Sequence, residues 1–162
     1  IKDYLDIAHG TFIWRNIPSF EKNPNKAVMK MPKGQFRDTG LLHYLLRLND
    51  SEALEHHPVV GRSFEAFVIE ELLKGLEATM VTNWRYYYYR TRNNAESDLI
   101  LEGTVGSIPF EIKTGATVRH ENLRALKIFL EEMKLPLGVV INQASKVEML
   151  NEKIIQIPVG LI

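Results

Sequence analysis

The stretch that decides the fold is ESDLILEGTVGSIPFEIKTG, residues 96–115. Its two halves are rich in Leu, Ile and Phe, and a short turn with a glycine at each end joins them, which predicts a β-hairpin. Yet Asp98, Glu111 and Lys113 lie inside the predicted strands. A hairpin that places two carboxylates and an ammonium among apolar residues requires a chemical reason.

The spacing of these charges supplies one. Symmetric pairing across the turn from Gly103 to Gly106 sets Asp98 opposite Glu111, with the two Cβ atoms roughly 5 Å apart. Lys113 follows Glu111 by two residues, so both side chains share one face of the strand. Opposed carboxylates repel each other unless a cation lies between them. Lys113 is one candidate, and a divalent metal ion bound by the carboxylate oxygens is the other.

The segment that precedes the hairpin, residues 61–78, has the pattern of a helix and carries a third acid. Glu65 lies on the same helical stripe as Ile69, Leu72 and Leu76, so we expect it to point inward and to need a partner. The other charged residues of this helix are predicted to be solvated: Glu70, Glu71, Lys74 and Glu77.

The order of elements predicts an α/β fold. Residues 59–162 read as helix, three strands, an amphipathic helix over 118–133 and a buried strand, with 153–159 as a last edge strand. This αβββαβ order favours a mixed central sheet flanked by helices. Residues 1–58 are predicted to form a mainly helical extension (helix, short strand, helix) that packs on this core.

Arginines and tyrosines alternate with unusual density in WRYYYYRTR, residues 84–92. We expect most of the tyrosines to fill the core on both faces of a central strand, and the arginines to contact phosphate. Two more arginines open the predicted second helix, where free backbone N–H groups favour anions. The predicted nucleic-acid contacts are Arg85, Arg90, Arg92, Arg119 and Arg124. A further basic group either binds DNA or docks against another module: Lys26, Lys30, Lys33 and Arg37.

Composition narrows the possible functions. The chain has 162 residues with 20 basic and 20 acidic side chains, a balance that argues mildly against general nucleic-acid binding over the whole surface. Cysteine is absent, which excludes disulfides, a thiolate zinc site and a cysteine nucleophile. No apolar run is long enough to span a membrane, and we expect a cytoplasmic protein. Because the chain begins at Ile1, we expect it to be a piece of a longer one.

With Glu65 on a helix, Asp98 in the first hairpin strand and Glu111-Ile112-Lys113 in the second, the chain resembles the PD-(D/E)XK, or restriction-endonuclease-like, nuclease core. The resemblance implies that Asp98 and Glu111 bind Mg²⁺ or Mn²⁺ and that Lys113 positions or activates the attacking water. It also implies that Glu65 assists and that the substrate is nucleic acid, most often DNA. Ser97 stands where the name-giving proline of the motif would be.

A wider resemblance covers nearly the whole chain. The ordered set KMPKGQFRDTGLLHYLL, GRSFEAFVIEEL, YYYYRTRNNAESDLIL and PFEIKTG is similar to the domain of unknown function found C-terminal to AAA+ ATPase modules in bacteria and archaea. It implies that an AAA+ ATPase module precedes this domain in the same polypeptide.

Three hypotheses follow from the sequence. The first is a metal-dependent nuclease-like domain that acts on or binds DNA. The second is a non-catalytic nucleic-acid-binding, protein-interaction or regulatory module that serves a linked ATPase. The third is a structural domain in which Asp98, Glu111 and Lys113 form a surface ion cluster, because ion pairs without catalytic roles are common.

Overall fold

The structure is a computed structural model that describes residues 2–21, 31–90, 96–104 and 106–162. It is a mixed α/β fold in which helices flank a six-stranded mixed sheet, as the sequence predicts. The helices and strands, in chain order, are α1 (Lys2–Gly10), β1 (Trp14–Ile17), β2 (Lys33–Phe36), α2 (Thr39–Leu45), α3 (Ser51–Glu55), α4 (Val60–Glu77), β3 (Arg85–Arg90), β4 (Glu96–Gly103), β5 (Gly106–Ile112), a 3₁₀ turn (His120–Leu123), α5 (Arg124–Glu132), β6 (Gly138–Asn142), β7 (Glu148–Asn151), β8 (Ile154–Pro158) and a final 3₁₀ turn (Val159–Leu161).

The sheet has the strand order β3-β4-β5-β6-β8-β7. Strand β4 pairs antiparallel with both β3 and β5, β6 pairs parallel with both β5 and β8, and β7 pairs antiparallel with β8. The parallel connection from β5 to β6 passes through α5, as parallel neighbours require a crossover. Strands β3, β4 and β5 therefore form a meander, and β5, α5 and β6 form a βαβ unit.

The β4–β5 hairpin has the predicted register. Its ladder runs from the pair Gly103 and Gly106 at the turn to the pair Leu99 and Phe110. Gly106 has a φ of 104°, a conformation that residues with a Cβ atom rarely adopt, so glycine is required at this position for a tight turn.

Apolar side chains cover both faces of the sheet. One cluster joins Val68, Ile69 and Leu73 of α4 to alternate residues of the central strands, among them Val139. Leu126 and Leu130 of α5 pack in a second cluster with Val140 and other residues that point the opposite way. The buried run of β6, in which every residue is buried, follows from this two-sided cover.

Three predictions about the core elements are wrong in detail. Residues 153–159 do not form the edge: β8 lies inside the sheet, and the edge is β7, a four-residue strand that was not predicted. The β3 strand is an edge and not a central strand, although its tyrosines do face both sides. Its outer side is partly covered because Tyr88 exchanges backbone hydrogen bonds with Pro18 and Phe20. The helix predicted from residue 118 begins as a 3₁₀ turn and becomes α-helical only at Arg124.

The N-terminal segment has more elements than the predicted helix, short strand and helix. Strands β1 and β2 form a small antiparallel sheet of their own, and α3 is an additional short helix. This segment contacts α4 through side chains: His43 Nε2 lies 2.5 Å from Ser63 Oγ, and the Lys74 ammonium donates to the Arg37 carbonyl. Within the described ranges, no helix is both long and apolar enough to cross a membrane.

Candidate active site

The hairpin brings Asp98 and Glu111 together in the core. The β4–β5 ladder ends at the pair Leu99 and Phe110, so Asp98 and Glu111 are the next residues along the same register. Asp98 is 8% exposed and Glu111 is 5% exposed. Asp and Glu are almost never fully buried without partners. Here one of each is buried, and the two are neighbours.

Asp98 and Glu111 differ in how their oxygens are satisfied. Asp98 Oδ2 accepts a hydrogen bond of 2.8 Å from the backbone N–H of Ile112, which fixes its orientation. Glu111 Oε1 lies 2.6 Å from the Lys113 ammonium. Glu111 Oε2 is buried and has no hydrogen-bond partner among the described residues. A buried carboxylate oxygen without a donor is costly, because it has lost its hydration and gained nothing in return.

The pKa values of the acids reflect their burial and the nearby negative charges. Burial raises the pKa of Asp98 well above its usual range, and the charges of Glu111 and Glu65 raise it further, against the Ile112 N–H bond and Lys113. Burial also raises the pKa of Glu111, although Lys113 opposes that shift. For Lys113, burial lowers the pKa, but attraction to Glu111 and Asp98 outweighs it and the net shift is upward. Lys113 is thus a firmly charged ammonium at neutral pH.

The residues present fit a hard divalent cation. Mg²⁺ commonly binds proteins through one or two carboxylates and completes its octahedron with water and substrate phosphate. Asp98 and Glu111 provide two such carboxylates, and Glu111 Oε2 is an acceptor with no protein donor. Among the described residues, no group of three or more His, Cys, Asp or Glu side chains has metal-binding geometry. The site therefore fits a cation that takes its remaining ligands from outside the protein.

Glu65 pairs with a residue of the N-terminal segment. It lies in the first turns of α4, is half-buried as predicted, and forms an ion pair with Lys33 of β2. Burial lowers the pKa of Lys33, but the attraction of Glu65, and then of Asp98 and Glu96, reverses the effect and raises it. Lys33 was predicted only as part of a basic group that binds DNA or docks against another module, so its place among the acids is new.

A cleft of about 680 Å³ opens beside these side chains. Glu65 and Asp98 line it, whereas Glu111 and Lys113 are not among its lining residues. Acidic and basic residues are balanced along the wall: the acids are Glu65, Glu96 and Asp98, and the bases are Lys33, Arg62 and Arg90. Of the acid pair, the cleft therefore reaches Asp98 and not Glu111.

The predicted phosphate-binding arginines are dispersed. Arg90 lines the cleft, and its Nε lies 3.9 Å from a Glu96 oxygen. Arg85 pairs across the ladder with Glu102, toward the turn end of β4, and lines a different pocket. The two remaining described arginines are exposed near the start of α5: Arg119 and Arg124. Arg92 lies outside the described residues. The structure brings Arg90 to the site and leaves Arg85 away from it.

One solvation prediction is wrong. Glu70 is not solvated but 1% exposed, because it accepts from Arg15 and Gln35 and forms an ion pair with Arg37. Glu71, Lys74 and Glu77 are exposed, as predicted. No local pattern marks Glu70, since its partners lie 33 to 55 residues away in sequence.

Comparisons with known proteins show the family of the chain. A family model described as "Domain of unknown function (DUF4143)" matches residues 60–162, which is more than half of the chain. The chain belongs to the DUF4143 family. A second model, "Domain of unknown function (DUF8612)", matches residues 1–52.

Two mycobacterial relatives extend over both regions. Uncharacterised proteins of Mycobacterium bovis and Mycobacterium tuberculosis are each 31% identical to this chain over 159 residues, 98% of its length. The chain spans about a third (34%) of the length of each relative. No solved structure matches the chain.

The family boundaries divide the site unequally. Glu65, Asp98, Glu111 and Lys113 all lie within the DUF4143 match. Lys33 lies within the DUF8612 match, so the ion pair between Lys33 and Glu65 joins the two matched regions. The cleft is built by both.

Proposed function

We propose that this DUF4143 domain carries a metal-dependent phosphodiester hydrolase site of the PD-(D/E)XK type, within a restriction-endonuclease-like core, and that it acts on nucleic acid. The observation that carries the proposal is the buried pair of Asp98 and Glu111, with Glu111 Oε2 lacking a donor and Lys113 on the other oxygen. The antiparallel hairpin followed by a parallel β6 supports it.

In this proposal Asp98 and Glu111 would hold Mg²⁺ or Mn²⁺. When bound, such an ion polarises the phosphoryl oxygens and lowers the pKa of a coordinated water. The chain's own residues prepare the site. The Ile112 N–H holds Asp98 in place, and the excess of negative charge in a dry environment favours occupation by a cation.

Lys113 has two tasks in this site. Its ammonium favours the ionised form of Glu111, because it opposes the upward shift that burial gives to that pKa. The same ammonium is a fixed positive charge beside the carboxylates, where it stabilises negative charge that develops on phosphoryl oxygens. Its raised pKa means that it stays protonated, so it orients the attacking water by donating a hydrogen bond and does not act as a general base at neutral pH.

The test is Mn²⁺-dependent cleavage of 5′-labelled single- and double-stranded DNA by the purified chain. We expect Asp98→Ala and Lys113→Ala each to reduce cleavage by about 100-fold or more, as loss of a metal ligand or a charge-stabilising group does. Lys146 and Glu148 form an exposed ion pair with the same two-residue spacing as Glu111 and Lys113. Lys146→Ala is therefore a matched control and should keep full activity. Cleavage that persists unchanged in both site variants would come from a contaminant and would end the proposal.

A second function has a specific observation in its favour. The Lys33–Glu65 ion pair neutralises one acid of the cleft from within the protein, and the wall carries balanced charge. This arrangement suits a non-catalytic module that binds nucleic acid or regulates a linked AAA+ ATPase module in a longer polypeptide. DNA cleavage that depends on Asp98 and Lys113 would exclude it, and metal binding without cleavage under any condition would favour it.

A further inference from the structure

The cleft has an aromatic wall as well as a charged one. Trp14 of β1 and Phe36 of β2 line it, with ring centroids 5.4 Å apart in an edge-to-face arrangement, and Tyr88 of β3 lines it as well. All three belong to the same cavity as Asp98 and Glu65. A cavity with acids and ammonium groups at one wall and aromatic rings at another can hold a ligand that has both phosphate and planar bases.

Trp14 is held so that only its ring surface is available. Its Nε1–H already donates to Asn16 Oδ1 at 3.0 Å, so the indole has no donor left for a ligand. The ring occupies the space over Gly34, where an added Cβ would lie 2.1 Å from ring carbon Cζ2. The glycine therefore allows the indole to lie against the backbone of β2. This ring is half-buried, preorganised, and suited to stacking.

Lys33 places a cation in the same cleft as this ring. It directly precedes Gly34 in β2 and extends into the cleft to pair with Glu65. It is charged at neutral pH because its pKa is raised. The β1–β2 sheet that carries both Trp14 and Lys33 is tied to α4 by the buried contacts of Glu70 with Arg15 and Gln35. The sheet thus presents a stacking surface and a phosphate contact in fixed relation to Asp98.

We propose that the β1–β2 sheet is a single-strand-binding wall, in which Trp14 stacks on an unpaired base and Lys33 contacts the adjoining phosphate. The inference rests on the proposed function and deepens it, because it assigns single-stranded or unwound nucleic acid as the substrate class of the same cleft. Stacking requires a base whose face is free, and a base inside an intact duplex has none. Balanced charge along the wall fits this assignment, because affinity then depends on stacking more than on total positive charge.

The two tryptophans allow a direct measurement. The chain has only Trp14 and Trp84, and Trp84 lines the separate pocket that holds Arg85. In Trp84→Phe, fluorescence reports on Trp14 alone, and in Trp14→Phe it reports on Trp84 alone. The probe is a 12-nucleotide single-stranded DNA, compared with the blunt duplex of the same sequence and with the matching RNA, in Ca²⁺ buffer. Fluorescence anisotropy of the labelled strand gives the affinity of each variant.

We expect the single strand to quench Trp14 and leave Trp84 unchanged, and to bind at least about tenfold more tightly than the duplex. Trp14→Ala should weaken single-strand binding about tenfold, which corresponds to the loss of one stacked base. Gly34→Ala, which displaces the Trp14 ring without removing it, should also weaken single-strand binding. Lys33→Ala should lower the salt slope of log affinity by about 0.7, the value for one phosphate on a single strand, and Lys33→Arg should restore it. The RNA arm decides whether the 2′-hydroxyl is accepted.

Equal binding of duplex and single strand, or quenching that is the same in both single-tryptophan proteins, would overturn the inference. Unchanged affinity in Trp14→Ala and Gly34→Ala would do the same, and circular dichroism establishes that the variants are folded. These outcomes leave the metal site untouched, since Mn²⁺ binding is measured separately. Conversely, single-strand quenching of Trp14 without any Mn²⁺ binding would retain the wall and remove the proposed hydrolase.

Discussion

The two buried charge clusters, one around Glu70 and one around Asp98 and Glu111, differ in how completely their acids are paired. Glu70 has both oxygens satisfied: Arg15 donates to each of them at 2.7 and 3.1 Å, and Gln35 donates at 3.0 Å. Arg37 adds a second positive charge at 3.3 Å. The Asp98–Glu111 cluster is the reverse, because two acids share one lysine and one oxygen has no donor in the described part of the chain.

This difference in pairing distinguishes a cluster that stabilises the fold from one that is suited to binding a ligand. A buried acid with a complete set of donors holds two segments together and has no capacity for a ligand. An acid pair with raised pKa values and an unsatisfied oxygen stores unfavourable energy that a cation would relieve. The first cluster fastens the N-terminal sheet to α4, and the second has the electrostatics of a binding site.

Glu70→Ala should produce the largest effect on stability. It leaves the guanidinium of Arg15 buried beside a cavity with its main partner gone, which costs about 3–5 kcal/mol of unfolding free energy. Urea denaturation followed by circular dichroism measures the loss. Glu71→Ala, on the exposed side of the same helix, is the control and should change stability by less than about 0.5 kcal/mol. A similar small change for both variants would contradict the contrast between the clusters.

Asp98→Asn should change the free energy of unfolding in the opposite direction and by a smaller amount. The amide can still accept the Ile112 N–H but carries no charge, so the metal-free protein should gain about 1 kcal/mol at pH 7, as neutralised functional sites often do. The gain depends on pH. Because the pKa of Asp98 is raised in the folded state, ionisation destabilises the wild type as the pH rises through that value.

The advantage of Asp98→Asn should therefore vanish below pH 3.8, the ordinary pKa of the carboxyl, because the wild-type group is then protonated in both the folded and the unfolded state. Parallel urea titrations of the two proteins at acidic and neutral pH measure it. A variant less stable than the wild type at pH 7 would show that Asp98 is a favourable structural charge.

Lys113→Met should show its effect mainly in the pH dependence of metal binding. Without the ammonium, the pKa of Glu111 rises further, since Lys113 is what opposes the effect of burial. Metal binding requires ionised carboxylates, so the midpoint of Mn²⁺ binding against pH should move upward. Calorimetric titrations at several pH values measure the midpoint, and Lys146→Met is the matched control. An unchanged midpoint would mean that Lys113 does not govern the charge of Glu111.

The hairpin and its acid pair were predictable because the information is local. Two glycines define the turn, and alternation along each strand then fixes which residues oppose one another, so Asp98 and Glu111 follow from counting. Glu65 was predictable as an inward acid for the same reason, since helical periodicity depends on near neighbours.

The remaining features depend on contacts between distant segments. Glu70 looks solvated on its helix and is buried only because β1 and β2 bring Arg15, Gln35 and Arg37 to it. Lys33 reaches Glu65 across 32 residues for the same reason. The edge strand β7 has four residues without clear alternation, so no pattern distinguishes it from a loop. Tertiary packing decided these features, and a single sequence does not show it.

The most direct test of the central claim is calorimetric titration of Mn²⁺ into the wild type and into Glu111→Gln at pH 7. The proposed site predicts saturable binding to the wild type and at least tenfold weaker binding to the variant, which remains folded by circular dichroism. Equal Mn²⁺ binding by the two proteins, or no binding by the wild type, would show that the buried acid pair is a structural ion cluster and not a metal site.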